Sequence, residues 1–150
     1  MQRRYSAATL LILIATVILI ATAGCSSGPP SLKLPNGALP GGTAQITVNG
    51  NDTGRIHEVD CQSLGKGLTR INIGSVGTRT TLLVGQAQTP KGVAFNDVEG
   101  FTGSYWQDLQ GSARLAMVDQ TFTLAGTAAG FNAKQPYNRT MNDFTVKVAC

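Results

Sequence analysis

The alternation of apolar and polar residues at the end of the chain constrains the fold most strongly. In the segment DFTVKVAC (143–150), single polar or small residues separate Phe144, Val146, Val148 and Cys150. Because successive side chains of a strand point to opposite faces, this period of two is typical of a β-strand with one buried face. The segment therefore predicts a strand that contributes to the hydrophobic core.

Shorter segments of the same kind recur from residue 44 onward. They are AQITVNG, RIHEVDC, LTRINIG, RTTLLVG, ARLAMVD and TFTLAG. Turn residues separate them at intervals of about eight to twelve positions, and no helical period extends over about eleven residues. Asn49-Gly50 and Val118-Asp119-Gln120 are predicted hairpin connections. We predict an all-β domain over residues 44–150, built as an antiparallel sandwich or a small barrel.

The beginning of the chain has the organisation of a secretory signal peptide. Arg3 and Arg4 form a basic head, and an uncharged, largely aliphatic run follows from Ala7 to Gly24. A basic head, an apolar run and small residues at its end predict cleavage of residues 1–24 during export. An uncleaved membrane helix is the alternative, because a run of this length is near the minimum that spans a bilayer. The arginine pair also leaves the twin-arginine export route open.

A cysteine follows this apolar run directly. The residues Ala23-Gly24-Cys25 resemble the lipobox of bacterial lipoproteins, although Thr22 stands where that motif prefers an aliphatic residue. The resemblance implies that the Cys25 thiol receives a diacylglyceryl group and becomes the N-terminus of the mature chain. Two acyl chains hold a protein stably on a bilayer, whereas a single chain binds only marginally. We expect a lipid anchor on the extracytoplasmic face of the cell membrane.

Residues 25–43 are expected to form the lipidated N-terminus and a flexible tether. They are rich in Pro, Gly and Ser and lack a sustained strand or helix pattern. Proline-rich segments act as semi-rigid spacers, so such a tether would hold the domain away from the membrane surface.

The other two cysteines, Cys61 and Cys150, are predicted to form a disulfide. Disulfides persist in exported proteins, and acylation of Cys25 leaves this pairing as the only one available. Each cysteine continues the apolar alternation of its own strand, Cys61 after Val59, so both are expected to face the core. Two free, buried thiols are the alternative.

The charge of the chain gives no support to nucleic-acid binding. The full sequence has 12 Lys and Arg against 8 Asp and Glu, which is a formal charge of +4. Removal of residues 1–24 takes away Arg3 and Arg4, leaving 10 against 8 and a charge of +2. The remaining basic residues are scattered, whereas nucleic-acid binding calls for a dense basic patch.

Candidate catalytic residues are few. His57 is the one histidine, and RIHEVDC places it in mid-strand without a nucleophile, an orienting group or a second metal ligand. The pairs Glu58/Asp60 and Asp97/Glu99 have the spacing of one strand face. Paired acids can serve glycoside hydrolysis, but a solvated strand face shows the same pattern. We expect no enzymatic activity, no cofactor and no metal site.

The segment FTGSYWQDL (101–109) is the candidate interaction surface. If it forms a strand, Tyr105 and Trp106 point to opposite faces, so that one faces the core and the other is exposed. An exposed aromatic ring stacks on a sugar or lies at a lipid or protein interface. The alternative is that Trp106 anchors the core.

Two cysteine-bearing segments, ITVNGNDTGRIHEVDCQSLGKGLTRINIG (46–74) and NRTMNDFTVKVAC (138–150), resemble the mycobacterial 19 kDa lipoprotein antigen family. FTLAGTAAGF, between them, is similar to the Gly-, Thr- and Ala-rich strand and turn of that family. The resemblance implies an acylated envelope protein whose lipidated N-terminus is sensed by host Toll-like receptor 2, with adhesion as a further role. It brings no catalytic residues.

We therefore expect a monomeric, non-enzymatic surface lipoprotein with an interaction or structural role. Its expected partners are the membrane, reached through the lipid on Cys25, and a host receptor or an envelope glycolipid. The alternative is a carrier that binds the acyl chain of a lipid or glycolipid between its sheets. A carrier needs a large apolar cavity, for which a domain of this size has little spare core.

Overall fold

The structure, a computed structural model, describes residues 34–150. The predicted signal peptide, Cys25 and the tether up to residue 33 lie outside these residues. The described part contains ten strands and one short 3₁₀ turn at Gln86–Gln88. The strands are β1 (Thr43–Val48), β2 (Asn51–Ile56), β3 (Val59–Gly65), β4 (Leu68–Ile73), β5 (Arg79–Val84), β6 (Pro90–Val98), β7 (Phe101–Trp106), β8 (Ser112–Val118), β9 (Thr121–Asn132) and β10 (Gln135–Ala149). Within residues 34–150, no helix is long and apolar enough to cross a membrane.

All ten strands belong to one antiparallel sheet, which confirms the predicted all-β class. The strand order is β2-β1-β10-β9-β7-β6-β5-β4-β3, and β8 pairs with β9 outside this path. Strands β7 and β8 share one edge of the long strand β9, because β7 pairs with 129–132 and β8 with 121–127. The sheet curls into a nearly closed barrel-like form, with β2 and β3 as its two end strands.

Two tight turns fix the hairpins that the sequence predicts. Asn49 and Gly50 join β1 to β2 with φ angles of 48° and 81°. Positive φ at both positions is the geometry of the type I′ turn, which suits the twist of a hairpin and favours Asn-Gly. Asp119, with φ of 56°, lies in the two-residue connection between β8 and β9.

One hydrophobic core fills the inner face of the sheet. The predicted contribution of β10 to this core is confirmed, because Phe144, Val146 and Val148 are buried. Phe95 contacts two other aromatic rings, with centroid distances of 5.6 Å to Phe101 and 5.2 Å to Phe144. Fully buried aliphatic side chains from other strands complete this core: Ile46, Ile71, Ile73, Leu82, Val93, Val98 and Leu124.

The prediction that RIHEVDC is one strand is wrong. Strand β2 ends at Ile56 and β3 begins at Val59, so His57 lies in the exposed connection between them and not in mid-strand. The chain must turn here because β2 pairs with β1, whereas β3 pairs with β4 at the other end of the sheet. The amide of Gly74 fixes the turn by donating to the carbonyl oxygen of Glu58 at 2.8 Å.

The residues before β1 pack onto the domain. Leu39 is buried, and its amide donates to Oγ1 of Thr121 at 2.8 Å. The amide of Gly42 donates to the carbonyl oxygen of Ala149 at 2.9 Å. The last part of the segment expected as a tether therefore covers the ends of β9 and β10.

Candidate functional site

The disulfide joins the two regions of the sheet that backbone pairing leaves apart. Cys61 of β3 is bonded to Cys150, which follows β10, with 5.9 Å between their Cα atoms. The bridge confirms the predicted pairing and closes a loop with a sequence separation of 89. On the chain-entropy model, a loop of that length stabilises the fold by about 4–5 kcal/mol.

The prediction that both cysteines face the core is wrong, since both are exposed. Strand β3 is the last strand of the sheet and, apart from half-buried Val59, is exposed along its length. On the other side of the bridge, the alternation of buried and less buried residues in β10 stops at Ala149. Ala149 is fully buried next to the segment that contains Leu39. Cys150 follows the strand and lies outside its pattern.

Tyr105 and Trp106 lie on opposite faces of β7. Tyr105 is buried, with 5% of its surface exposed, and Trp106 is 38% exposed. The hydroxyl of Tyr105 donates to the carbonyl oxygen of Pro90 at 3.3 Å. Burial raises the pKa of Tyr105, and the negative charge of Asp108 raises it further. Tyr105 therefore belongs to the core, and Trp106 is the ring available to a partner.

The indole of Trp106 lies against the backbone of the neighbouring strand. Trp106 is paired with Gly92 of β6, where an added Cβ would stand 2.5 Å from the indole Cε3 atom. Only glycine lets the ring approach so closely. Beside it, Nζ of Lys91 donates to Oε1 of Gln107 at 2.9 Å. Leu109, 84% exposed, follows in the same turn.

We call residues 106–110, together with Lys91, the aromatic turn. The amides of Leu109 and Gln110 both donate to the carbonyl oxygen of Trp106 at 3.1 Å. The side chain of Gln110 donates to the carbonyl oxygen of Ser104 at 3.0 Å. These bonds hold an exposed ring and an exposed aliphatic side chain close together on a fixed backbone.

The other candidate carboxylates are brought together only around shallow spaces: Glu58 and Glu99 line one cavity, and Glu58 and Asp60 line a neighbouring groove. His57, Glu58 and Asp60 are exposed. Asp97 and Glu99 do not share a strand face, because Asp97, with φ of 51°, lies at a register shift within β6, and Glu99, with φ of 49°, lies in the turn that follows. Within residues 34–150, no group of three or more His, Cys, Asp or Glu side chains is close enough to hold a metal ion.

A cavity of about 260 Å³ lies between the two ends of the sheet, which we call the seam cavity. Its apolar wall comes from Ile46, Ile56, Ile73 and Val98, and Thr80 of β5 also lines it. The sequence gives little sign of it, because Thr80 lies in an ordinary strand segment, RTTLLVG. The juxtaposition arises only when β2 and β4 approach each other in the folded sheet.

Comparisons with known proteins show that the chain is similar to mycobacterial lipoproteins. The family described as "Mycobacterium 19 kDa lipoprotein antigen" matches residues 37–150. A protein named as a lipoprotein from Mycobacterium avium subsp. hominissuis is 32% identical, over 100% of this chain and 97% of its own length. "Probable lipoprotein LppE" of Mycobacterium tuberculosis is 28% identical, over 93% of this chain and 97% of its own length.

Proposed function

Because the chain belongs to the Mycobacterium 19 kDa lipoprotein antigen family, we propose that it is a lipid-anchored envelope protein that presents an interaction surface. Family membership over residues 37–150 is the observation that carries this proposal. The anchor is the diacylglyceryl group on Cys25, formed after cleavage of residues 1–24. It holds the domain on the extracytoplasmic face of the cell membrane, where the domain acts as a monomer.

The rigid domain and the anchor have separate tasks in this proposal. The lipid on Cys25 is the group that host Toll-like receptor 2 recognises, as the family resemblance implies. The aromatic turn is the group that contacts an envelope glycolipid or another adhesion partner, because an exposed indole stacks on sugar rings. Trp106, the single tryptophan, reports on this contact directly.

The proposal includes no enzymatic activity. His57 is exposed, and the carboxylate pairs do not form a catalytic arrangement with it in the described part of the chain. A general base requires a nucleophile and an orienting group within hydrogen-bond reach. The family name describes an antigen and gives no reaction.

The carrier alternative is weaker. Ligand pockets for drug-sized molecules have volumes of about 300–1,000 Å³. The seam cavity, at about 260 Å³, is below that range. A wider groove of about 500 Å³ along β8 and β9 includes Arg114 and Asp143 in its lining and is not an apolar interior. Neither space favours a long acyl chain.

Metabolic labelling with an alkyne analogue of palmitate tests the anchor. The wild-type protein, expressed in a mycobacterial host, is expected to incorporate the label, and the variant Cys25→Ser is expected to lose it. The double variant Cys61→Ser/Cys150→Ser is the matched control and keeps the label, because these residues form the disulfide. Label retained in Cys25→Ser contradicts the proposal.

Tryptophan fluorescence tests the interaction surface. Titration with a soluble mannan oligosaccharide is expected to shift the emission of Trp106 to shorter wavelength, because stacking removes water from the ring. The variant Leu109→Ala is expected to bind more weakly, and Tyr137→Ala, at a fully exposed tyrosine outside the aromatic turn, is the control. Emission that does not change at saturating glycan contradicts sugar stacking at this surface.

A further inference from the structure

The seam cavity has an isoleucine wall beside polar lining residues that include Thr53, Ser75 and Thr78, and it lies where no backbone pairing joins β2 to β4. Ile46 and Ile56 line it from the β1–β2 end of the sheet, and Ile73 lines it from β4, next to the other end. Its volume of about 260 Å³ corresponds to roughly eight water molecules at liquid density. A ligand with about that number of non-hydrogen atoms therefore fits.

Thr80 lines this cavity, and its buried hydroxyl has no hydrogen-bond partner in residues 34–150. The side chain of Thr80 is fully buried, and its Oγ1 atom makes no hydrogen bond to any described residue. Thr80 is paired with Ile73 on one side and Phe95 on the other, and all three are buried, so its side chain points to the interior. A buried hydroxyl without a partner is costly, and in native proteins it commonly marks a bound water or ligand.

Carboxylates line the mouth of the same cavity. Glu99, in the turn between β6 and β7, and Glu58, in the β2–β3 connection, both line the cavity and are exposed. Glu58 also lines an adjoining groove with Asp60 and Arg79, and the charged end of the ligand is therefore assigned to Glu99. Negative charge at the mouth of an apolar cavity favours a ligand with a cationic end.

We propose that the seam cavity binds a small aliphatic molecule with a hydroxyl group at its buried end and an ammonium group at its mouth. The hydroxyl pairs with Oγ1 of Thr80, the aliphatic part contacts the isoleucine wall, and the ammonium group lies beside Glu99. This site is independent of the lipid on Cys25 and of the aromatic turn. Its failure would leave the proposed function unchanged.

The probe for this site is 6-amino-1-hexanol, which has eight non-hydrogen atoms. The full protein in phosphatidylcholine nanodiscs, labelled at isoleucine methyl groups, is titrated while its NMR spectrum is recorded. Saturable shifts of the Ile46, Ile56 and Ile73 methyl signals are expected, with a dissociation constant in the millimolar range. Shifts that do not saturate, or an equal shift of Ile71, which does not line the cavity, overturn the proposal.

Two variants separate the contributions of hydroxyl and charge. Thr80→Val is expected to weaken binding of 6-amino-1-hexanol about fivefold, the value of one hydrogen bond, and to leave hexylamine unaffected. Glu99→Gln is expected to weaken both amines about twofold to fivefold, as for a partly exposed ion pair, and to leave 1-hexanol unaffected. Equal effects of Thr80→Val on the two amines contradict the proposed orientation.

Thr81→Val is the matched control, because Thr81 is the next residue of β5 and its Oγ1 already donates to Oδ1 of Asn72 at 3.0 Å. It is expected to leave probe binding unchanged. A thermal melt without probe gives an independent check. Thr80→Val is expected to raise Tm, since it removes an unpartnered hydroxyl, whereas Thr81→Val lowers it. A lower Tm for Thr80→Val shows that the hydroxyl is already satisfied, which overturns the proposal.

Discussion

At the residue scale, two neighbouring aromatic side chains contribute unequally to stability. Tyr105→Ala is expected to lower the free energy of unfolding by about 3–4 kcal/mol, because it removes a large buried side chain. Trp106→Ala removes a partly exposed ring that packs on Gly92, and about 1 kcal/mol is expected. Urea unfolding followed by circular dichroism measures both. Equal losses would contradict the opposite burial of these residues.

The ionisation of Tyr105 makes stability fall at alkaline pH. Burial and the charge of Asp108 raise its pKa in the folded state. A group with a raised folded pKa contributes stability that is present below its unfolded pKa of about 10 and is lost as pH rises through the folded pKa. Urea midpoints at pH 9 to 11 are therefore expected to fall less for Tyr105→Phe than for the wild type. Tyr137→Phe, at a fully exposed tyrosine, is the control and follows the wild type.

For some single residues the sequence predicts the strand face correctly, and for others it does not. The period of two predicts that Tyr105 and Trp106 lie on opposite faces, as they do, but it does not say which is buried, and the alternative that Trp106 anchors the core is wrong. The same rule fails for Cys61 and Cys150, since one lies on an exposed end strand and the other follows the end of β10. No sequence pattern distinguishes Thr80 from other strand threonines, because the cavity that it lines forms only when β2 and β4 lie close together in the fold.

At the element scale, the pairing of β7 with β9 depends on two glycines. Gly103 is directly opposite Gly130, and a Cβ on Gly103 would stand 2.8 Å from the Cα atom of Gly130. Gly103→Ala is expected to lower the free energy of unfolding by about 1–3 kcal/mol through overpacking. Gly41→Ala is the control, because its nearest contact would be an ordinary 3.8 Å. Equal effects on the urea midpoint would contradict this role.

The sequence predicts most elements, and the failures have physical causes. The part of β10 from residue 143 onward and the Asn49-Gly50 hairpin have strong local signals, and both are confirmed, whereas the first half of β10 is not predicted. The sequence does not predict β6, since Pro90, Gly92 and the Asn-Asp pair near its end are unfavourable for strands. RIHEVDC alternates regularly although it contains a turn, because the pairing partners of β2 and β3 are distant in sequence.

At the scale of the whole molecule, the disulfide substitutes for the missing pairing at the seam of the sheet. The double variant Cys61→Ser/Cys150→Ser is expected to lose about 4 kcal/mol of stability, given the long loop that the bridge closes. Urea unfolding of the wild type after reduction by dithiothreitol should give the same loss. An unchanged urea midpoint in both samples would contradict this role of the bridge.

We propose that a lipid anchor holds this domain at the membrane. The domain and its bridge are visible in the structure, whereas the anchor is inferred from the sequence and from family membership. Mass spectrometry of proteolytic peptides from the native protein, without reduction, tests both parts together. The predicted result is an N-terminal peptide that begins at an acylated Cys25, together with a peptide pair linked through Cys61 and Cys150. A chain that begins at Met1, or a disulfide that includes Cys25, would contradict the account.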